Sequence, residues 1–429
     1  MPRIDVGKMH GIVKRMKEKI LLAITVDQAK GAWTPEHEAR EMTELIESCG
    51  GTVIETVFCK IMPPTASHLI TSGKVKEIQE IIQQGNVDSV IVSHDLKGVQ
   101  QRNLEEDFGV KTLDRTQLIL DIFAKHATSL EGKMQVELAQ LSYLLPRLVG
   151  SNDALSRQGG GIGTSGPGET KLEVDRRRVR ERIAKLKKEL AAVTQSRQIK
   201  RKKRQEHEIP TIALVGYTNA GKSTLLNALT QAGTLTHDGL FTTLDSLSRQ
   251  AELPNNRKAV FSDTVGFMHD LPHGLIEAFK ATLEEVEQAD LLLHVIDISA
   301  PDYQHFFTAV NKVLKEIGVL EKPTILVCNK IDQLTEPKRL DEFISQGVKT
   351  IGVSALKGQN IQQLLLLVED FFSSSEVAVD VKLPADRMDL VNLAHQHGKV
   401  REVKFLATGI RLKAHLPLPI AATIERAAR

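Results

Sequence analysis

The residues with the clearest chemical potential form a glycine-rich string, Gly216-Tyr-Thr-Asn-Ala-Gly221-Lys222-Ser223. This string matches the pattern GxxxxGK[ST], and it lies between the strand-like Thr211–Val215 and the helical Leu225–Leu229, the context that the pattern requires. The two glycines let the backbone curl so that the amides of Asn219–Thr224 face phosphate groups at a helix N-terminus, and the lysine adds a positive charge. The serine hydroxyl is a suitable ligand for Mg²⁺. The string therefore predicts a binding site for a nucleoside triphosphate.

Three further motifs follow along the chain, each after an apolar run. Asp263-Thr-Val-Gly266 places a carboxylate where it can reach the metal through water and a glycine amide where it can approach the γ-phosphate. Asn329-Lys-Ile-Asp332 ends in a carboxylate that can accept both N–H donors of guanine, and adenine lacks those donors in that arrangement. Ser354-Ala355-Leu356 would supply backbone donors to the guanine oxygen. The four motifs in this order predict a GTPase.

Alternating strand and helix patterns predict the scaffold that positions these motifs. From Ile20 to His126, four β-rich runs alternate with four helical patterns, which is typical of a parallel sheet. From Ile209, five β-rich runs alternate with helices and predict a doubly wound P-loop domain. Later β-rich runs around one helix predict a small appendage. The expected fold class is α/β, with an N-terminal parallel α/β unit, a long helical hairpin, a GTPase domain and a C-terminal α+β appendage at residues 1–128, 129–207, 208–373 and 374–429.

A strongly basic segment separates the two α/β parts. Residues 171–204 contain 15 Lys and Arg against four Asp and Glu, and the rest of the chain is net acidic. Apolar residues recur there at steps of three, four and seven, which predicts one long helix. Met134–Leu148 is a second helical pattern, and Gly159–Gly168 between the two suits either a glycine-rich hairpin tip or a flexible linker. Because the segment has no aromatic residue for stacking, it is expected to contact phosphates, unless it is only a solvated helix.

Composition excludes several classes of protein. The chain has 429 residues, 56 Lys and Arg against 54 Asp and Glu, and 41% apolar residues, so collagenous and globally disordered classes are excluded. Cys49, Cys59 and Cys328 lack the spacing of a disulfide framework or a thiolate metal site, which fits a reducing cytosol. The longest apolar runs are far shorter than the ~20 residues of a membrane span. We therefore expect a cytoplasmic protein with no membrane span, and peripheral membrane association stays open.

The motifs together resemble those of the HflX-type GTPases, a ribosome-associated branch of the translation-factor-related GTPases. The resemblance extends to Phe241-Thr-Thr-Leu-Asp245, to Ser72-Gly73-Lys74-Val75 and to the string at 156–173, which is specific to that family. It implies binding to the large ribosomal subunit and its RNA, with the glycine-rich tip directed toward the peptidyl-transferase region. It also implies GTP-dependent splitting or rescue of stalled ribosomes. No DNA partner is expected.

The resemblance also implies roles for residues of the nucleotide site. Thr243 would complete Mg²⁺ coordination when GTP is bound, with Thr242 as the alternative. Phe267 stands where many GTPases carry a water-orienting glutamine, so intrinsic hydrolysis should be slow, and the side chain suits a core-facing anchor. The expected catalytic residues are Lys222, Thr243 and Gly266, and the expected metal ligands are Ser223, Thr243 and, through water, Asp263. The expected nucleotide contacts are Gly216, Tyr217, Thr218, Asn219, Ala220, Gly221, Lys222, Ser223, Thr224, Phe241, Thr242, Thr243, Leu244, Asp245, Asp263, Thr264, Val265, Gly266, Asn329, Lys330, Ile331, Asp332, Ser354, Ala355 and Leu356.

Two other functions fit parts of the sequence. In one, the chain is a GTP-regulated RNA-binding or ribosome-assembly module, where GTP controls affinity and hydrolysis only resets it. In the other, the N-terminal unit binds ATP, but it contains no second P-loop, only Thr71-Ser72-Gly73-Lys74. The leading prediction is a Mg²⁺-dependent, ribosome-stimulated GTP hydrolase, with GTP as substrate and GDP as product.

Overall fold

The computed structural model describes residues 17–26, 34–62, 67–148, 171–206, 209–230, 247–269, 280–334, 336, 338–345, 347–373, 376–406 and 408–428. These residues form two compact units. The first holds the described residues up to Ile122 together with Arg147 and Leu148, and the second holds those of Phe123–Pro146 and Gly160–Arg429. The finer division into four domains stays a prediction.

The first unit is the parallel α/β sheet that the alternation predicts. Its strands β1 (Glu18–Val26), β2 (Gly51–Lys60), β3 (Ser89–Val92) and β4 (Lys111–Asp114) are all parallel, in the order β2-β1-β3-β4. The helices of this sheet are α1 (Pro35–Ser48), α2 (Ser72–Gly85), α3 (Gly98–Phe108) and α4 (Arg115–His126), the last of which crosses into the second unit. Central β1 is buried from Ile20 to Thr25, because the helices of a parallel sheet cover both of its faces.

The second unit begins with two helices that pack against each other. They are α5 (Leu130–Leu144), followed by the short 3₁₀ turn Leu145–Leu148, and the 36-residue α6 (Lys171–Glu206), which spans about 54 Å. Arg182 on α6 donates two hydrogen bonds, each 2.6 Å, to the Glu137 carboxylate on α5. The predicted long helix is therefore confirmed. The predicted glycine-rich tip lies outside the described residues.

A six-stranded sheet forms the middle of the second unit, as the doubly wound prediction requires. Strands β5 (Thr211–Gly216), β6 (Leu247–Glu252), β7 (Lys258–Asp263), β8 (Leu291–Asp297), β9 (Thr324–Asn329) and β10 (Thr350–Gly352) take the order β10-β9-β8-β5-β7-β6. Its helices are α7 (Lys222–Thr230), α8 (Lys280–Gln288), α9 (Tyr303–Glu316), α10 (Lys338–Ser345) and α11 (Ile361–Ser373). The carboxyl ends of β5, β7, β8 and β9 meet at one edge, so the motifs that follow these strands meet there too.

One strand of this sheet was not predicted. The edge strand β6 pairs antiparallel with β7, whereas the other five strands are parallel. Its sequence, LSRQAE, is mostly polar and none of its residues is fully buried, so it lacks the apolar run by which the other strands were found. A strand at the edge of a sheet is stabilised by backbone hydrogen bonds to one neighbour, and its sequence need not be apolar.

The C-terminal part of the second unit is the predicted α+β appendage. Strands β11 (Glu376–Leu383), β12 (Lys399–Leu406) and β13 (Gly409–Pro417) are antiparallel in the order β11-β13-β12. Helices α12 (Met388–His397) and α13 (Leu418–Ala427) accompany them, and α13 had not been predicted. Buried residues of the strands and of both helices, among them Leu412, Val391 and Ile424, form one apolar cluster. Within the described residues, no helix is long and apolar enough to cross a membrane.

The packing of α6 rests on one fully buried leucine, which gives a testable prediction. Among the described side chains of α6, residues 173–196, Leu186 alone is buried, with 0% of its surface exposed. We expect Leu186→Ala to lower the free energy of unfolding by about 2–4 kcal/mol, because it removes buried methyl groups and leaves a cavity. Denaturant unfolding measures this change. Lys188→Ala, at an exposed position of the same helix, is the matched control, and an equal loss in both variants would contradict the packing.

Candidate active site

The phosphate-binding string forms a tight loop between β5 and α7. A Cβ atom added to Gly216 would lie 2.2 Å from the Val295 carbonyl oxygen on β8. At Gly221, where φ is +88°, a Cβ atom would lie 2.3 Å from Asn329 Nδ2. Asn219 between them also has positive φ, at +59°. Glycine is therefore required at both positions because a neighbouring residue lies too close for a side chain. At Gly221 the backbone conformation also requires glycine.

Lys222 provides the positive charge of this loop. Its ammonium donates to the carbonyl oxygens of Gly216 at 3.2 Å and Tyr217 at 2.8 Å, and the side chain is buried. Burial lowers the pKa of Lys222 to about 8, whereas the Asp263 carboxylate opposes that shift by favouring the charged form. A polyphosphate in the loop would favour the ammonium further, so the geometry suits binding of an anion.

Ser223 and Asp263 bring a hydroxyl and a carboxylate together. The Ser223 hydroxyl donates to Asp263 Oδ2 at 2.6 Å, and the Asp263 side chain, at the end of β7, is fully buried. Oxygen donors of these two kinds are those that Mg²⁺ prefers. The predicted pair of metal ligands is thus adjacent in the structure and chemically suitable.

The segment after Asp263 is held against the phosphate loop. The Thr264 hydroxyl donates to the Leu214 carbonyl at 2.7 Å. A Cβ atom on Gly266 would lie 2.9 Å from Thr218 Cα and 3.2 Å from Lys222 Nζ, so only glycine fits there without displacing a neighbour. The Gly266 backbone therefore lies close to the lysine, and the contact of its amide with a γ-phosphate stays a prediction.

Phe267 continues this segment as a buried anchor. Its amide donates to the Gly216 carbonyl at 3.0 Å, and its carbonyl accepts from the Thr218 amide at 2.8 Å. The side chain is only 2% exposed. The interpretation of Phe267 as a core-facing anchor is therefore confirmed, and the ring offers no hydrogen bond to water.

The predicted guanine motif lies at the ends of β9 and β10. Asn329 Nδ2 donates to the Ala220 carbonyl at 2.9 Å, which ties this motif to the phosphate loop. Lys330, with φ at +64°, forms an ion pair of 2.7 Å with Asp297. Asp332 is exposed in the short 3₁₀ turn Ile331–Gln333, where its carboxylate is accessible to a base.

The Ser354–Leu356 segment is more restricted than the sequence suggests. The Ala355 amide donates to Asn329 Oδ1 at 3.0 Å, and the Ser354 amide donates to the Gln359 carbonyl at 3.2 Å. Both amides are therefore used within the protein. Leu356, with its side chain 72% exposed, is the member of the segment whose amide makes no hydrogen bond to the described residues. The role in guanine binding stays a prediction for all three.

Residues 241–245, which include both candidate threonines, lie outside the described residues, so the third metal ligand also stays a prediction.

The structure adds aromatic residues that the sequence did not predict at this site. The Tyr217 ring stacks on Phe306 of α9 at 4.3 Å, and its hydroxyl accepts from the His269 amide at 3.0 Å. His294 on β8 stacks on Phe307, and burial together with the charge of Lys222 lowers its pKa to about 3. A histidine within an apolar strand was the only signal of this contact in the sequence.

Comparison with known proteins gives matches along most of the chain. Family models match residues 36–124 ("GTP-binding GTPase N-terminal"), 126–204 ("GTP-binding GTPase Middle Region") and 211–330 ("50S ribosome-binding GTPase"). GTPase HflX of Caldanaerobacter subterraneus subsp. tengcongensis is 45% identical over 420 residues, which cover 97% of this chain and 95% of that protein. The chain belongs to the HflX family of GTPases. The resemblance seen in the sequence is confirmed, and this HflX-family member is a GTP hydrolase.

A second curated relative agrees with the family assignment. GTPase HflX of Escherichia coli strain K12 is 42% identical over 348 residues, which cover 81% of this chain and 82% of that protein. Among solved structures, a GTP-binding protein from the archaeon Sulfolobus solfataricus in complex with GDP matches 83% of this HflX-family chain and 99% of its own length, at 26% identity and a TM-score of 0.44.

The exposed carboxylate of Asp332 gives the prediction for base selection. We expect Asp332→Asn to weaken GTP binding at least about tenfold, because an amide donor replaces one of the two carboxylate oxygens that accept from the guanine N–H groups. The same variant should gain affinity for xanthosine triphosphate, since the new amide can donate to the extra carbonyl of xanthine. Equilibrium titration with both nucleotides measures the exchange. Asp341→Asn on α10 removes an exposed carboxylate of the same domain and serves as control, and unchanged GTP affinity in the Asp332 variant would remove this motif from the site.

Proposed function

We propose that this GTPase binds the large ribosomal subunit through its RNA and uses GTP to split or rescue stalled ribosomes. The proposal is based on the basic surface of α6 and on membership of the HflX family. The proposed place of action is the cytoplasm.

Several of the described basic side chains of α6 are exposed to solvent. The side chains of Arg177, Arg178 and Lys185 are 54%, 75% and 65% exposed. Each lies 3.9–4.0 Å from a carboxylate of its own helix, at the limit of an ion pair, and such exposed pairs contribute little. These groups can therefore exchange their contacts for phosphates, and the release of counterions from RNA would favour binding.

In the proposed site, Mg²⁺ would be held by the Ser223 hydroxyl, by Asp263 through water and by Thr243. The bound metal would neutralise charge on the β- and γ-phosphates. The chain's own groups would do the rest: the amides of Asn219–Thr224 and the Lys222 ammonium orient the phosphates, and the Gly266 amide contacts the γ-phosphate. Since the buried Phe267 cannot orient water, we propose that turnover is slow alone and rises on the ribosome.

The alternative, a GTP-regulated RNA-binding or assembly module, is an outcome of the same experiment. Purified 70S-type particles are mixed with the protein and GTP, and subunit dissociation is followed by light scattering alongside phosphate release. We expect dissociation, and a faster turnover than in the protein alone. Nucleotide-dependent binding without dissociation would favour the alternative, and no binding at all would reject both.

The division of roles between Lys222 and Ser223 predicts different responses to Mg²⁺. Both Lys222→Ala and Ser223→Ala should impair GTP turnover, the first by removing a charge from the phosphates and the second by removing a metal ligand. Raising the Mg²⁺ concentration should restore part of the activity of the serine variant only. Steady-state turnover across a Mg²⁺ titration measures this, and equal restoration of the lysine variant would contradict the assignment.

Neutralising the basic helix should reduce the salt dependence of subunit binding. With Arg176, Arg177 and Arg178 changed to Gln, we expect weaker binding and a slope of log K against log salt that is smaller by about two to three, with GTP affinity little changed. Changing Lys200–Arg204 should have the same effect. The control neutralises three exposed lysines elsewhere, Lys258, Lys315 and Lys349. Normal affinity and slope in the α6 variants would exclude the helix as the RNA-binding element.

Shortening the loop Gly159–Gly163 should have a different effect. We expect this variant to split ribosomes less well, with no change in the salt slope of subunit binding.

A further inference from the structure

The buried position of Phe267 leaves the attacking water without the partner that a glutamine would supply. Both backbone groups of Phe267 are bonded to the phosphate loop, at Gly216 and Thr218, and its ring is buried. The segment therefore cannot turn a side chain toward the nucleotide without breaking two hydrogen bonds. Orientation of the water by this chain therefore requires another polar group near Gly266.

Thr218 is a buried hydroxyl at that place. It is the third residue of the phosphate loop and is 6% exposed. Its Oγ1 atom is buried and makes no hydrogen bond to any described residue. Its Cβ atom lies 3.1 Å from the position that a Cβ on Gly266 would take, and Lys222 Nζ lies 3.2 Å from the same position. The threonine, the ammonium and the Gly266 backbone thus converge on one small region.

The neighbouring hydroxyls are already committed to other partners. Ser223 donates to Asp263, Thr264 donates to the Leu214 carbonyl, and the Tyr217 hydroxyl accepts from the His269 amide. A buried hydroxyl without a partner is unfavourable and is retained where a ligand or water completes it. Of these four hydroxyls, Thr218 is the one that is buried without a hydrogen bond to the described residues.

We infer that the Thr218 hydroxyl positions the attacking water for GTP hydrolysis, the role that Phe267 cannot fill. The hydroxyl accepts a hydrogen bond from the water and so directs an oxygen lone pair at the γ-phosphorus. The water oxygen forms a bond to that phosphorus while the bond from phosphorus to the β,γ-bridging oxygen breaks. GDP leaves with the bonding electron pair, and the proton lost by the water passes to the phosphate product. Thr218 contributes orientation and takes no net proton.

The test compares removal of the hydroxyl with its retention. Thr218→Val keeps the volume of the side chain and removes the hydroxyl, whereas Thr218→Ser keeps the hydroxyl. We expect single-turnover GTP hydrolysis by the full-length protein to fall at least about tenfold in the valine variant and to stay within about fivefold in the serine variant. Affinities for GTP and GDP should each change less than about threefold. Thr230→Val is the matched control, since that hydroxyl only bonds the Leu226 carbonyl of its own helix.

A second measurement separates water positioning from a structural role. GDP with aluminium fluoride imitates the transition state and requires a positioned water, so the valine variant should lose this binding while it retains GDP. Wild-type turnover by the valine variant would overturn the inference. So would a loss of GTP affinity equal to the loss of rate, because the hydroxyl would then contact the ground-state phosphate. Neither measurement involves ribosomes, so the outcome is independent of the proposed action on the large subunit.

Discussion

The close approach of the phosphate loop to the strands beside it is the constraint on which the site depends. Gly216 lies against the backbone of β8 and Gly221 lies against Asn329 at the end of β9, each too close for a side chain. Because Asn329 bonds to the Ala220 carbonyl and to the Ala355 amide, the predicted guanine motif and the phosphate loop are fixed relative to each other. A side chain at either glycine would separate them, and a nucleotide could not contact both at once.

This compactness has an electrostatic consequence. The loop encloses the Lys222 ammonium, and burial disfavours its charge, which is why its pKa falls. Two loop carbonyls and the Asp263 carboxylate compensate for that cost in part, and a polyphosphate would compensate for more. The neutral state of buried His294 follows from the same charge and from its own burial. An anion site of this kind is most stable when it is occupied, as expected for a nucleotide switch.

The segment that begins at Asp263 connects the metal and phosphate positions to the rest of the domain. It pairs with the phosphate loop through Phe267, and Tyr217 extends that contact to α9 by stacking on Phe306. The phosphate loop is thus in direct contact with α9. The long helix α6 depends instead on Leu186 and on the Arg182–Glu137 pair, and among its described basic side chains those of Arg178, Lys185 and Lys188 are exposed to solvent.

The sequence alone determined the fold class, the order of the elements and the nucleotide motifs, because apolar periodicity and fixed spacing are local properties. It also determined that α6 is one basic helix, since no helix breaker interrupts residues 171–206. It did not reveal the edge strand β6, the helix α13 or the aromatic contacts of Tyr217 and His294. Those depend on which residues meet across the sheet. The sequence showed that Phe267 could not bind water, but only the tertiary structure placed the buried Thr218 hydroxyl beside Gly266, because that proximity joins two loops 48 residues apart.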